Sequence, residues 1–434
     1  MRFLILCLIP LCVAAAPKVV KTVPENGKQD VDPETPELRV VFDQPMRPGR
    51  SLVNSSRGVF PELVDQPRWE GNNKTFVWKM KLEPNTDYWL SVNGTRFTNF
   101  RSANGEPAVP YPIAFSTRGS NKPALPEQIK ANKEAIAKLK KIILEDYSYF
   151  DLRKVDWEKL FKDFTPQLEA AAGPAEFATT AAKMLGAAQD THLSMRAGER
   201  RIFTHRRDVF PAINFELLKG AVPRWTKRHD WVYSGVFENG TRYLCITSLP
   251  GQDAAFLLAV HEVIGEAVEA GKPLIMDLRP NGGGDEITAR KIAGCFLDKP
   301  MVYAAHVMRS GGKFSEQQQR FVHPNPAGPK FRGRAIVLAG PGTLSSCEAF
   351  VLMMKQVPGC IVVGQKTGGS SGNPKIFDLG NGTSVSVPQW KAMRPDGTVF
   401  EAEGVAPDVE VQAKPADFER EDPILAEGQK RAAG

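Results

Sequence analysis

Apolar and polar positions follow three different patterns in successive parts of the chain. Between residues 17 and 119, short runs that alternate or are apolar, such as Glu37–Phe42 and Asp87–Val92, are separated by turn residues. This pattern predicts an all-β sandwich. The next 70 residues repeat apolar positions at helical spacing. The predicted helices are Pro126–Glu145, Trp157–Ala171 and Pro174–Ala188.

From about Arg200 onward, apolar strands alternate with amphipathic helices, which predicts a largely parallel sheet covered by helices. A polar loop is expected up to about Arg332. The predicted strands are Thr241–Thr247, Pro273–Leu278, Met301–Met308, Arg334–Ala339, Cys360–Val363, Ser384–Pro388, Thr398–Phe400 and Asp408–Val411. The predicted helices are Asp253–Ala270, Glu286–Leu297 and Cys347–Gln356.

The N-terminus has the pattern of a secretory signal peptide. Met1 and Arg2 precede an apolar stretch, Phe3–Val13, and Ala14–Ala16 supplies small residues for cleavage. We expect cleavage after Ala15 and a secreted, periplasmic or cell-surface protein. An uncleaved membrane anchor is the alternative, although the stretch is short for a span. No integral membrane span is expected after cleavage.

Composition narrows the functional classes. The 434 residues are 42% hydrophobic and 24% charged, which is typical of a globular protein with two or three domains. The net charge of +7 comes from cations that are interspersed with acids. The sequence has no basic stripe with interleaved aromatic residues, so nucleic-acid binding is not predicted. The cysteines outside the signal lack metal-ligand spacing, and they could be free or form up to two bridges.

Ser345 is the strongest candidate for chemistry. It follows a predicted strand and the glycine turn Gly340–Gly342, and it starts a predicted helix. Backbone N–H groups and the helix dipole favour a developing negative charge at such a position. The same stretch, Ser345 to Glu348, also fits an ordinary capping box. This segment alone therefore leaves both interpretations open.

Three further features could complete a serine-based site. His192 ends a predicted helix and could act as a base. The loop Asn281–Gly284 could turn backbone N–H groups towards a ligand. Glu401 and Glu403 follow a predicted hairpin, and either could orient the histidine. The simpler alternatives are that the histidine is structural, that the glycine loop is a flexible turn, and that the two glutamates are solvated acids.

Two parts of the chain resemble known families. Val23–Gly27, Val41–Met46, Leu82–Tyr88 and Phe115–Arg118 resemble the motifs of a bacterial Ig-like module, with Asp43 in place of a serine. From about Asn121 onward, four motifs in order resemble the S41 peptidases, which include tail-specific proteases and the tricorn core protease. Those motifs are Asp277–Gly284, Thr343–Glu348, Val362–Gly369 and Gly404–Asp408.

The S41 resemblance implies roles for individual residues. It makes Ser345 the nucleophile, His192 the base and Glu401 the orienting carboxylate. The oxyanion hole would use the backbone N–H groups of Ser346 and Gly283. No metal or organic cofactor is implied.

The chain departs from the processing-protease branch in two ways. That branch uses a lysine where this sequence has Ser370, and Lys366 lies four residues too early. The histidine-dependent, tricorn-like branch therefore fits better. The interval between His192 and Thr241 is also too short for a PDZ domain.

These observations predict a multidomain protein. We expect a signal peptide at 1–15, an Ig-like sandwich at 16–119, a helical cap at 120–195 and a ClpP/crotonase-like β-α spiral core at 196–434. We expect a secreted or periplasmic serine endopeptidase acting on a protein or peptide substrate. A non-catalytic binding or adhesion protein on the same fold, and an enzyme acting on non-peptide esters, are the alternatives. The oligomeric state is open.

Overall fold

The fold begins with a β-sandwich. The computed structural model describes residues 16–54, 58–94, 97–119, 123–205, 207, 210 and 212–434, so the predicted signal peptide at 1–15 lies outside the described residues. The strands are β1 (Val19–Val23), β2 (Glu37–Phe42), β3 (Leu52–Val53), β4 (Glu62–Glu70), β5 (Thr75–Lys81), β6 (Asp87–Val92) and β7 (Tyr111–Ser116). They form two antiparallel sheets, β1-β2-β5-β4 and β3-β6-β7.

The sandwich forms because alternate residues of each strand turn inward. In β2, Leu38, Val40 and Phe42 are buried while the residues between them are half-buried. Phe76 and Phe100 pack edge-to-face with ring centroids 5.0 Å apart in the same core. This confirms the predicted Ig-like sandwich.

A helical segment follows. Its elements are α1 (Pro126–Asp146), α2 (Phe150–Arg153), α3 (Trp157–Glu169), α4 (Pro174–Leu185) and a 3-10 turn at Gly186–Ala188, followed by strands β8 (Ser194–Ala197) and β9 (Arg200–Phe203). Strand β8 pairs with a strand near the C-terminus, so these helices share one hydrophobic core with residues such as Val385 and Val387. The chain thus folds His192, just before β8, against C-terminal segments.

The remaining elements are mixed α/β. They are α5 (Phe215–Ala221), β10 (Thr226–His229), β11 (Val232–Val236), β12 (Arg242–Ile246), α6 (Ala254–Ala270), β13 (Leu274–Asp277), α7 (Glu286–Ala293), β14 (Met301–Ser310), β15 (Lys313–Phe314), β16 (Gln318–Val322), β17 (Ala335–Ala339), α8 (Ser346–Met354), β18 (Ile361–Gly364), β19 (Pro374–Asp378), β20 (Thr383–Pro388), β21 (Trp390–Met393), β22 (Val409–Glu410) and α9 (Pro423–Ala433). Further 3-10 turns are Gly294–Phe296 and Pro415–Glu419.

A seven-stranded sheet is the centre of this part, in the order β10-β11-β12-β13-β17-β18-β22. The pairs from β12 to β22 are parallel. One face packs against α6, α7 and α8, and the other packs against α5 and α9. Both faces are covered, which is why β13 and β17 consist almost entirely of apolar residues.

The structure corrects one expectation about the segment before Arg332. A polar loop was predicted there, but Gln318–Val322 forms β16 and pairs with β14. The strand was hidden because a buried arginine, Arg320, occupies one of its inward positions. Strand β21 pairs with residues 305–308 of β14, so Trp390 lies opposite Met308 and beside this hairpin.

Two further observations concern the described residues only. None of their helices is long and apolar enough to cross a membrane. The four cysteines among them are free thiols, at Cys245, Cys295, Cys347 and Cys360.

Candidate active site

The candidate site lies where parallel strands β13 and β17 end, the usual edge for ligands in α/β sheets. The loops that follow the two strands are tied together. Thr343 Oγ1 donates to the Leu278 carbonyl over 2.9 Å, and the Leu344 N–H donates to the Asn281 carbonyl over 3.1 Å. The glycine loop and the serine turn are therefore held side by side.

Ser345 has a strained backbone. Its φ is 56° and its ψ is −128°, whereas a helix N-cap residue ordinarily takes extended angles. Such strain in a residue other than glycine concentrates at functional sites, and a strained strand-to-helix turn is also how other enzymes present a nucleophilic serine. The Ser345 Oγ lies 3.2 Å from His192 Nε2. The structure thus brings together the predicted nucleophile and the predicted base.

His192 is held from two sides. Its backbone N–H donates to Asp190 Oδ1 over 2.8 Å, and its ring Nδ1 lies 3.0 Å from Ser370 Oγ. Burial lowers the pKa of His192, and the charge of Asp190 partly offsets this. A histidine with a lowered pKa stays neutral near pH 7, which is the form that can accept a proton.

Glu401 contacts the backbone after Ser370 rather than the ring of His192. Its Oε2 accepts from the Ser371 N–H over 2.6 Å, and its Oε1 pairs with Arg153. Ser370, not Glu401, contacts the ring of His192. An orienting role of Glu401 therefore does not act through direct contact with the ring, because the Ser370 hydroxyl occupies the position beside Nδ1. Burial raises the pKa of Glu401 well above its usual range.

The glycine loop packs directly against Ser345. Gly283 has a φ of +101°, and a Cβ there would lie 2.7 Å from the Ser345 Cβ. However, the Gly283 N–H donates to Asn281 Oδ1 over 2.9 Å. The predicted oxyanion donor Gly283 is thus already engaged. Among the described residues, the N–H groups of Gly284 and Ser346 have no hydrogen-bond acceptor, and both residues line the cavity at Ser345.

Glu348 holds the Ser345 turn and the segment that carries Ser370 together through hydrogen bonds. Its fully buried carboxylate accepts from the N–H groups of Ser345, Gly369 and Ser370, at 3.2, 2.7 and 2.7 Å. It also accepts from the Thr367 hydroxyl. Burial raises the pKa of Glu348 to about 7, and the four hydrogen bonds oppose that rise. One side chain therefore fixes Ser345 relative to Ser370.

A cavity of about 410 Å³ opens above Ser345. His192, Gly284 and Ser346 face it, and its wall includes Ala349, Trp390 and Phe400. Among the described residues, no group of acidic, histidine and cysteine side chains is arranged to hold a metal ion. The cavity thus has both apolar and charged walls, the latter from Arg201, Asp285, Glu286 and Arg320, next to a serine and a histidine.

Sequence reasoning had missed the contacts of Ser370 and Glu348. Ser370 was recognised only as the residue in the position of a lysine, and Glu348 only as a helix cap. A lone serine such as Ser370 does not stand out in the sequence. A signal for Glu348 existed, since a glutamate in a largely apolar helix, Ser346–Met354, needs buried partners.

A serine in a strained turn, paired with a histidine at the edge of a parallel sheet, is the arrangement of a serine hydrolase. Comparison with family models agrees with this class. Residues 242–411 match peptidase family S41, residues 137–186 match the tricorn protease C1 domain, and residues 13–117 match a bacterial Ig-like domain. Residues 242–411 are therefore similar to peptidase family S41, and a segment similar to an Ig-like domain precedes them.

Individual relatives are more distant. A CtpA-like serine protease of Staphylococcus epidermidis is 30% identical over 139 residues, which are 32% of this chain and 27% of the relative. A solved structure of a candidate peptidase from Parabacteroides merdae is 21% identical, with a TM-score of 0.61, over 70% of this chain and 97% of that one.

Mature CPAF is 12% identical to the chain, with a TM-score of 0.53, over 70% of this chain and 96% of that one. The two solved structures show that the fold is shared. The chain matches only about a quarter of the length of the CtpA-like relative.

Proposed function

We propose that the protein is a secreted or periplasmic serine endopeptidase that hydrolyses peptide bonds of a protein or peptide substrate. The observation that carries the proposal is the strained Ser345, whose Oγ lies 3.2 Å from His192 Nε2. The match of residues 242–411 to peptidase family S41 supports peptide rather than ester chemistry. The predicted signal peptide supports export.

The proposed reaction follows the serine-protease pattern. Ser345 Oγ attacks the carbonyl carbon while its proton passes to His192 Nε2. The N–H groups of Ser346 and Gly284 bind the tetrahedral oxyanion. The imidazolium then protonates the leaving amine. Water enters, His192 takes its proton, and the acyl-enzyme is hydrolysed.

Ser370 is the proposed positioning residue for the base. For Nε2 to accept a proton, Nδ1 must carry one, and the Ser370 hydroxyl can accept it over 3.0 Å. Ser370 is also hydrogen-bonded to Thr191 Oγ1. The proposed role of Glu401 is therefore indirect: it holds the backbone of Ser371, the residue after Ser370.

The domain boundaries and the spiral topology complete the proposal. We take the Ig-like domain as residues 16–119, the helical cap as 120–195 and a ClpP/crotonase-like core as 196–434. The cap supplies Tyr147, which follows α1 and donates to Asp190, and Arg153 of α2, which pairs with Glu401. The cap thus supports the base rather than only covering the site.

Labelling with a serine-directed fluorophosphonate tests the proposal. Native wild-type protein should label, and mass spectrometry should find the adduct on Ser345 rather than Ser346. Ser345→Ala and heat-denatured wild type should not label, and Ser345→Ala should lose peptide hydrolysis. Hydrolysis that survives in Ser345→Ala would refute the mechanism. A folded wild type that neither labels nor cleaves would favour a non-catalytic binding protein.

A further inference from the structure

A second cavity adjoins the one above Ser345. It has a volume of about 540 Å³ and is bounded by helix α7, strand β16 and Trp390. Arg320 and Trp390 line both cavities. The Arg320–Trp390 pair therefore lies between the two neighbouring cavities, and we call the second one the basic groove.

The groove is positively charged. Arg290, Lys291 and Arg320 line it together with His306 and His323, and no carboxylate is among its described lining residues. Glu286 lies at the boundary, where it accepts from Arg290 Nη2 over 2.9 Å and also pairs with Arg320. One carboxylate thus balances only one of the two arginines, and Lys291 has no ion-pair partner among the described residues.

Arg320 is unusual because it is 6% exposed and yet incompletely bonded. Its guanidinium stacks over the Trp390 ring at 4.2 Å, and its Nε has no hydrogen-bond partner among the described residues. A buried donor without an acceptor is costly, so the positive charge of Arg320 is incompletely compensated by the protein. The Nδ1 of His306, another residue that lines the groove, is likewise buried without a hydrogen-bond partner among the described residues.

We infer that the basic groove selects substrates with an acidic side chain near the scissile bond. The inference rests on the proposed peptidase function and names the substrate class of the same site. Lys291 lies five residues beyond Glu286 along α7, a rise of about 8 Å, or two to three residues of extended chain. A glutamate or aspartate a few residues from the cleaved bond would thus reach Lys291 and Arg290.

Peptides with blocked ends test the inference, because they carry no terminal carboxylate. A neutral substrate is varied with Glu, Gln or Lys at each of the second to fourth positions on either side of the scissile bond. We expect kcat/KM to be about threefold higher for Glu than for Gln on one side, as for an exposed charge pair. Higher salt should reduce this ratio.

The variants separate the groove from general charge effects. Lys291→Gln should bring the Glu/Gln ratio close to one, and Lys291→Glu should make Lys preferred over Glu. The matched control Lys130→Glu, on the exposed side of α1, should keep the wild-type ratio. Equal cleavage of Glu and Gln peptides at all positions would overturn the inference, as would an unchanged ratio in Lys291→Glu. A preference seen only with a free C-terminal carboxylate would also overturn it.

Peptide binding to the Ser345→Ala protein keeps the two proposals distinguishable. Fluorescence anisotropy of labelled Glu and Gln peptides should show the same preference without any turnover. If wild type cleaves none of the peptides but Ser345→Ala binds the Glu peptide more tightly, the peptidase proposal fails and the groove remains. If wild type cleaves the peptides without any preference, the groove proposal fails and the peptidase remains.

Discussion

At the scale of single residues, the site differs from a serine–histidine–carboxylate triad in the group beside Nδ1. A hydroxyl replaces the carboxylate there, since Ser370 Oγ lies 3.0 Å from His192 Nδ1. The nearest carboxylate to the backbone of His192 is Asp190, which accepts its N–H. A neutral partner can fix the tautomer, but it stabilises the imidazolium less than a charge does.

Replacing Ser370 with alanine should therefore reduce kcat by about 5- to 10-fold, the worth of one neutral hydrogen bond, with little change in KM. Ser370→Thr keeps the hydroxyl and should recover part of the rate. Steady-state kinetics of both variants, with thermal melts to check folding, would measure this. A Ser370→Ala enzyme with wild-type kcat would show that the hydroxyl does not position His192.

Ser345 and His192 could be predicted because each lies in a short motif whose residues are adjacent in sequence. The contacts of Glu401 could not be predicted in the same way. They depend on how the segment from Thr367 to Ser371 folds over the site, and that path is set by Glu348 and Arg153 from two other elements. Sequence spacing alone cannot reveal which of two neighbouring serines faces a ring.

At the scale of elements, most helices and the parallel strands follow from their apolar periods, whereas the strands with buried charge do not. In strand β16 a buried position is occupied by Arg320, so the sequence of the strand lacks an alternation of apolar and polar residues and resembles a polar loop. Helix α9 was also missed. Its N-cap Asp422 pairs with the buried Arg279, so part of its attachment to the core is polar. Such pairs become visible only when the partner elements are in place.

Glu348 joins two elements, the start of α8 and the segment that carries Ser370, and its pKa of about 7 predicts a pH dependence. The ionised carboxylate accepts four hydrogen bonds, so its protonation should loosen both Ser345 and Ser370. We expect kcat/KM to rise with pH through about 7. The pKa of His192 is lowered, so the part of the pH–rate profile that His192 controls lies below pH 6.5.

The variant Glu348→Gln should lower kcat/KM and move the acid limb below pH 6.5, because only His192 then titrates. A pH–rate profile of both proteins measures this, and an acid limb that stays at the same pH would contradict it.

The stability of the fold should depend on the protonation of Glu348 in the opposite sense to the rate. Since the folded pKa lies above the unfolded value of 4.5, the contribution of Glu348 to stability is present below pH 4.5 and is lost as pH rises through about 7. Urea unfolding at pH 5 and 8 would show a smaller difference in Glu348→Gln.

At the scale of the whole molecule, the Ig-like domain contacts the helical segment through polar groups. Asn85 Nδ2 donates to Glu176 Oε1 and Thr180 Oγ1 over 3.3 and 3.2 Å, and Glu83 pairs with Arg200 at 3.1 Å. The two parts have separate hydrophobic cores. Polar contacts of this kind usually join domains that fold independently.

All residues that line the cavity at Ser345 belong to the part of the chain between His192 and Phe400. Removing residues 16–119 should therefore leave kcat/KM for a short peptide within about twofold, because no group that faces the cavity is lost. The cost should appear as a modest fall in melting temperature, since Thr180 and Glu176 lose their partner Asn85. The matched full-length variant Asn85→Ala separates this contact from the loss of the domain.

If the truncated protein is folded by circular dichroism but cleaves short peptides poorly, the Ig-like domain acts on the site itself. If only the cleavage of a folded protein substrate falls, the domain selects or places the substrate.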